Sequence, residues 1–94
     1  MIPLSPLAEY DQAVAKVTQV RGNDYGRPSD NFRRLSAMRA IIDECEDPEL
    51  REVLHMEAVK ICRLIETPDH LDSWVDVAGY ARVGVMILEE RDSD

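Results

Sequence analysis

Between residues 71 and 90 the chain carries a helical segment with no clear polar face. Trp74, Val75, Val77, Ala78, Tyr80, Ala81, Val83, Val85, Met86, Ile87 and Leu88 fall on nearly every side of a 3.6-residue helix. A helix apolar all round is either central in its fold or buried at a subunit interface. A chain of 94 residues can hardly surround such a helix by itself, so a homo-oligomer is expected. Gly79 and Gly84 lie inside the segment and each costs about 1 kcal/mol relative to alanine. They are tolerable where another helix packs closely.

The rest of the chain predicts three further helices. No segment alternates with a period of two, so the class is all-α: one four-helix domain, a helical hairpin or bundle, near the small end of what folds alone. The first helix is expected over residues 6–20, with Ser5 as cap, Pro6 at the first position and Leu7, Tyr10, Val14 and Val17 as its apolar stripe. Two glycines and a proline in the stretch Arg21 to Pro28 predict a break. The second helix is expected over residues 30–44, capped by Ser29. Phe32, Leu35, Met38, Ile41 and Ile42 face inward, and Arg33, Arg34 and Arg39 face elsewhere. The third, over residues 48–65, opens on Asp47-Pro48-Glu49 and buries Leu50, Val53, Leu54, Ile61, Cys62 and Leu64. Thr67-Pro68-Asp69 makes the turn into the fourth, over residues 71–90.

Charge narrows the function classes. The net charge is -8, with six bases against four acids in residues 1–40 and five against fifteen in residues 41–94. Such a chain repels nucleic-acid backbones, so no direct DNA or RNA binding is expected. A local cluster of arginines can still hold a small phosphate, and the acidity suits a metal or a basic partner protein. Met1-Ile-Pro-Leu-Ser-Pro has neither the basic start nor the apolar run of a signal peptide. Val83 to Leu88, the longest apolar run, is too short to cross a membrane. Cys45 and Cys62 lack Cys-x-x-Cys spacing and read as reduced thiols of a cytoplasmic protein.

Two constellations can carry chemistry. Lys60 and Arg63 near the end of the third helix meet His70, Asp72 and Asp76 at the start of the fourth. Asp72 and Asp76 are four residues apart, on one face, and can share a divalent cation. Arg63 can hold a phosphate bidentately, Lys60 can act as a point charge, and His70 can donate to a phosphate. The other reading of the same residues is a salt-bridged clamp, Lys60 and Arg63 on Asp72 and Asp76. The second constellation is the loop from Asn23 to Phe32. It brings backbone N–H groups, Arg27 and the Tyr25 ring to a helix N-terminus, where anions bind. An ordinary turn, with Tyr25 and Phe32 plugging the core, is its alternative. His55 reads as a helix-surface or interface residue. The acidic run Asp43 to Glu49 reads as a solvated turn or as a docking patch for a basic surface.

The combination of Asp24-Tyr-Gly-Arg-Pro-Ser-Asp-Asn-Phe32, Lys60-Ile-Cys-Arg-Leu64 and His70-Leu-Asp-Ser-Trp-Val-Asp-Val-Ala-Gly-Tyr-Ala81 resembles a family of small phage and prophage proteins of uncharacterised function. The shared pattern is approximately YG-x-P-x-x-N-F, K-I-A-R-L and H-x-D-S-x-V-D-x-A-G-Y, over roughly residues 20–88, with Cys62 in place of the commoner alanine. A looser similarity joins Asp72-Ser-Trp-Val-Asp76-Val to the Glu-x-x-x-Asp-Val element of the all-α MazG-like nucleotide pyrophosphatases. Those enzymes carry further glutamates on the preceding helix, where this chain offers Glu57, Lys60 and Arg63. A fainter similarity to small phage nucleotide kinases rests on the same hairpin.

These resemblances imply a phage-derived accessory protein that binds a nucleotide phosphate, hydrolysing or sequestering it. Asp72 and Asp76 would hold Mg²⁺, Lys60, Arg63, His70 and Arg27 would meet phosphates, and Tyr25 or Trp74 the base. The rival expectation is an acidic phage inhibitor that docks on a basic host-defence or nucleic-acid-binding protein.

Overall fold

The computed structural model describes residues 3–93, with the side chains of residues 20–25 outside that description. It is all-α, and the described residues contain no strand. The elements are α1 (Pro6–Tyr25), α2 (Pro28–Ile42), α3 (Pro48–Glu66) and α4 (Leu71–Ser93). Local chemistry sets most of the helix starts. The Ser5 hydroxyl accepts from the Ala8 N–H at 3.2 Å, and the Asp47 carboxylate accepts from the Leu50 N–H at 3.1 Å. His70 caps α4 through its ring: Nδ1 accepts from the Ser73 N–H at 3.3 Å and meets the Ser73 hydroxyl at 2.8 Å.

All four helix ends differ from the sequence expectation, by one to five residues, and α2 starts two residues early; two of these shifts have a clear local cause. α1 runs past residue 20, through Gly22, and ends only where Gly26 turns to φ 73°. One glycine within a helix costs about 1 kcal/mol, whereas a residue in the left-handed region ends the helix. α2 starts at Pro28, one residue before the predicted Ser29 cap. A proline ring clashes with a helical predecessor, and Arg27 is accordingly held extended at φ -70° and ψ 130°. Arg27 takes the cap position, and Ser29 falls inside the first turn.

α3 is the spine of the fold. It touches all three other helices, whereas α4 packs on α3 alone among the described residues. The α3–α4 hairpin is antiparallel, and three pairings fix its register. Arg91 grips Asp47, Gly84 faces Val53, and Lys60 meets Asp76. Gly84 thus fits the expected close approach, with its ideal Cβ position 3.8 Å from Val53 Cγ1. Gly79 does not, because its ideal Cβ position meets no other helix or side chain within 4 Å.

The core is narrow. Leu35 of α2 packs with Ala58 and Cys62 of α3, flanked by Met38, Ile42 and Val59. Leu64 is buried as well. Phe32 and Ile41, expected inside, are 64% and 69% exposed, and Leu54 and Ile61 are also exposed. The helices have few neighbours, so each buries a single stripe and leaves the flanking apolar positions in solvent. The Cys62 Sγ sits 3.7 Å from the Met38 sulfur, and burial pushes this thiol up from its ordinary pKa. Cys45 and Cys62 are both free thiols.

The apolar α4 is not central. Ser73, Asp76, Val77, Tyr80, Gly84 and Ile87 form the covered stripe against α3, and the rest of the helix is exposed. The chain is correspondingly extended, 60 × 30 × 25 Å with a radius of gyration of 17.6 Å. A compact domain of this length would have a radius of about 12 Å.

The far end of the hairpin is locked by charge. The Arg91 guanidinium donates to both Asp47 oxygens, one at 3.0 Å, and also approaches Glu49 at 3.8 Å. Arg91 and then the Leu50 N–H hold the Asp47 carboxyl at a pKa of about 2, below the ordinary 3.8. A carboxyl whose pKa is lowered by folding contributes stability above its unfolded value and loses it as pH falls through the folded one. Thermal melts of the wild type and Arg91→Met are therefore expected to differ by a constant amount above pH ~5, with the difference closing between pH ~4 and ~2. A gap unchanged down to pH ~2 would show that the pair does not contribute.

Candidate functional site

A cleft of about 640 Å³ opens between α2, α3 and the end of α1. On α2, Asn31, Leu35 and Arg39 follow one another at four-residue steps and so share a face. α3 supplies Val59, Lys60 and Arg63, while Thr18, Gly26, Pro28 and Phe32 complete the wall. Leu35 and Val59 make it apolar in part. Three cations, Arg39, Lys60 and Arg63, line it in a chain whose net charge is -8.

The polar groups of the cleft differ in their engagement. Asn31 is 9% exposed, and its Oδ1 is buried without a hydrogen-bond partner. An unmet buried acceptor costs about 1–3 kcal/mol. The Lys60 side chain is 17% exposed, with its Nζ 3.1 Å from Asp76 Oδ2. Arg39 is exposed and forms no ion pair among the described residues. The Gly26 end is closed by Glu66, which accepts from the Arg34 guanidinium at 2.6 Å. Behind Lys60 on α3, Glu57 has one buried, unpartnered oxygen, and burial pushes its carboxyl up.

The structure sorts the sequence candidates. Lys60 and Arg63 line the cleft. Arg27 stands at its mouth, between two lining residues, largely solvated and 3.8 Å from Asp30. The Tyr25 side chain lies outside the described residues. His70 is committed to capping α4 through Ser73 and does not line the cleft. Trp74 is exposed beside the same turn, its indole N–H donating to the Pro68 carbonyl at 2.8 Å. Of the expected clamp only Lys60–Asp76 has the predicted partners, since Asp72 is exposed and pairs with no base among the described residues. His55 pairs with Asp43 across the α2–α3 turn at 2.9 Å.

Asp72 and Asp76 present two carboxylates on one face of α4, and they differ in engagement. The Asp76 carboxylate is already held by an ammonium, whose charge opposes a nearby dication. No group of three His, Cys, Asp or Glu side chains converges among the described residues. Magnesium is commonly held by one or two carboxylates, with water and substrate phosphates completing its shell.

Arg39 was not singled out from sequence as a site residue, and Asn31 only as a member of the Asn23–Phe32 loop. Their signal was present, because both share the four-residue spacing of Leu35. Placing Leu35 in the core also places them on the inward face.

With the geometry in place, the comparisons with known proteins decide the family. Residues 10–88 match the family model described as "Domain of unknown function (DUF6378)". The chain belongs to this family. The match takes in the whole cleft, from Thr18 to Arg63, and the α3–α4 hairpin, stopping short of Arg91. The chain is also similar to the "Gene 55 protein" of Mycobacterium phage D29, 34% identical over 70 residues. That alignment covers 74% of this chain and 46% of the phage protein, so the chain spans less than half of that relative's length. This kinship supports the phage origin expected from the sequence. No solved structure matches.

Proposed function

We propose that the cleft between α2 and α3 binds the phosphate groups of a nucleotide. The observation that carries this reading is the meeting of Arg39, Lys60 and Arg63 around a buried Asn31 whose Oδ1 lacks a partner. Guanidinium groups recognise phosphate through charge-assisted, bidentate hydrogen bonds, and the lysine adds a mobile point charge. Phe32 on the wall offers a ring for a base, and Asn31 an amide for the base or the sugar. The wall carries no hydroxyl–histidine or thiol–histidine pair, so the function is read as binding, and no catalytic step is assigned.

The docking alternative has weaker support. The acidic turn between α2 and α3 is exposed, but Asp43 is partnered by His55 and Asp47 by Arg91. Less of its charge is available to a basic surface than the sequence alone suggests.

Calorimetric titration with nucleoside mono-, di- and triphosphates, and with inorganic pyrophosphate, tests the reading, each with and without Mg²⁺. Arg39→Ala removes a side chain that is exposed and unpaired among the described residues, so stability should be little changed. The loss of a charge-assisted contact is expected to weaken binding by about 10-fold to 100-fold. Pyrophosphate binding that survives Phe32→Ala, with nucleotide binding that does not, would locate the base on Phe32. No heat with any member of the panel, or full affinity in Arg39→Ala, refutes the proposal.

A further inference from the structure

We infer that α4 pairs with the α4 of a second copy of this chain, through a seam that no helix of its own chain covers. The seam consists of Trp74, Ala78, Ala81, Val85 and Leu88, all exposed and lying beside the stripe that meets α3. Their spacing runs four, three, four, three, the interval at which a helix keeps one edge toward a partner helix. The occupant follows from area. A folded monomer of this mass exposes about 5,500 Å², whereas this chain exposes 7264 Å². The excess, roughly 1,800 Å², is more than twice the ~800 Å² that each partner buries in a standard interface.

The seam is complementary to itself. An antiparallel pair centred on Ala81 sets Trp74 against Leu88 of the second copy and brings Ala78 alongside Gly84 and Val85. Ala81 then faces Ala81, and two methyl groups at the centre let the helices approach closely. Trp74 is suited to anchor the ends: its indole N–H is fixed on the Pro68 carbonyl while 54% of the residue stays exposed. Aromatic anchors of this kind dominate interface energies. Because the seam pairs with itself, the contact is isologous and closes as a dimer.

Light scattering on the full chain is expected to give twice the 10.7 kDa monomer mass at micromolar concentration. Ala81 is exposed in the single chain, so Ala81→Glu and Ala81→Lys leave the core intact, which circular dichroism can verify. Each variant alone sets like charges against one another at the two-fold and is expected to run as a monomer. An equimolar mixture of the two restores the dimer, because the opposite charges then meet. Val14→Glu, on the exposed stripe of α1, leaves the mass unchanged. A monomeric wild type, a dimer that survives Ala81→Glu, a mixture that stays monomeric, or dissociation by Val14→Glu overturns the inference.

Discussion

Leu35→Ala is expected to lower the unfolding free energy by about 2.5 kcal/mol, measured by urea denaturation. Leu35 is the α2 member of the buried cluster with Ala58 and Cys62. Truncating a buried leucine forfeits the transfer free energy of its methyl groups and leaves a space the neighbours only partly fill. The cost should lie toward the lower end of the 2–5 kcal/mol typical for this change, because one side of Leu35 faces the cleft and water can enter there. For a domain this small the loss corresponds to a drop of roughly 10–20 °C in melting temperature. A loss below ~1 kcal/mol would mean that the α2–α3 contact is not what holds the fold together.

Gly26→Ala is expected to cost about 2–3 kcal/mol, by two separable routes. The residue stands at φ 73°, where an alanine loses about 1–2 kcal/mol to its own backbone. The added Cβ would also lie 2.7 Å from the carboxyl carbon of Glu66. Glu66 has a flexible side chain, but moving it breaks the ion pair with Arg34, worth about 1 kcal/mol or less. The routes are distinguished by a double-mutant cycle with Glu66→Ala. Without the Glu66 carboxylate the steric part disappears and the backbone part remains, so the double variant should be more stable than the summed single losses predict. Strict additivity would mean that Glu66 does not press on Gly26.

The sequence showed the helices more clearly than what covers them. Hydrophobic spacing, Ser5 and the Asp47-Pro48 pair placed α1, α3 and α4, since caps and first-turn prolines act locally. The break after residue 20 was misplaced because Gly22 looks the same in sequence as Gly26. Only the second adopts the left-handed conformation, and that depends on the chain entering Pro28 and on Glu66 closing over it. Phe32 and Ile41 illustrate a different limit. Periodicity identifies an apolar stripe but not its buried width, which depends on how many helices pack there. At the site, residue type picked out Lys60 and Arg63. Asn31 and Arg39 emerge only when α2 is rotated so that Leu35 faces α3. The Asp72–Asp76 pair was conspicuous on one helical face, yet spacing within α4 could not show that Lys60 had already claimed one of the two.

Lys60 belongs to two structures at once. Its ammonium ties α3 to α4 through Asp76, and the residue also lines the cleft. An anion drawn to that ammonium competes with Asp76 for the same hydrogens, so binding and hairpin closure share one term in their free energies. By linkage, the factor by which the closed Asp76 contact weakens the hold on an anion equals the factor by which a bound anion weakens that contact. Asp76→Asn should therefore weaken the hairpin and tighten the proposed phosphate site together, so that the second carboxylate of α4 would govern its affinity.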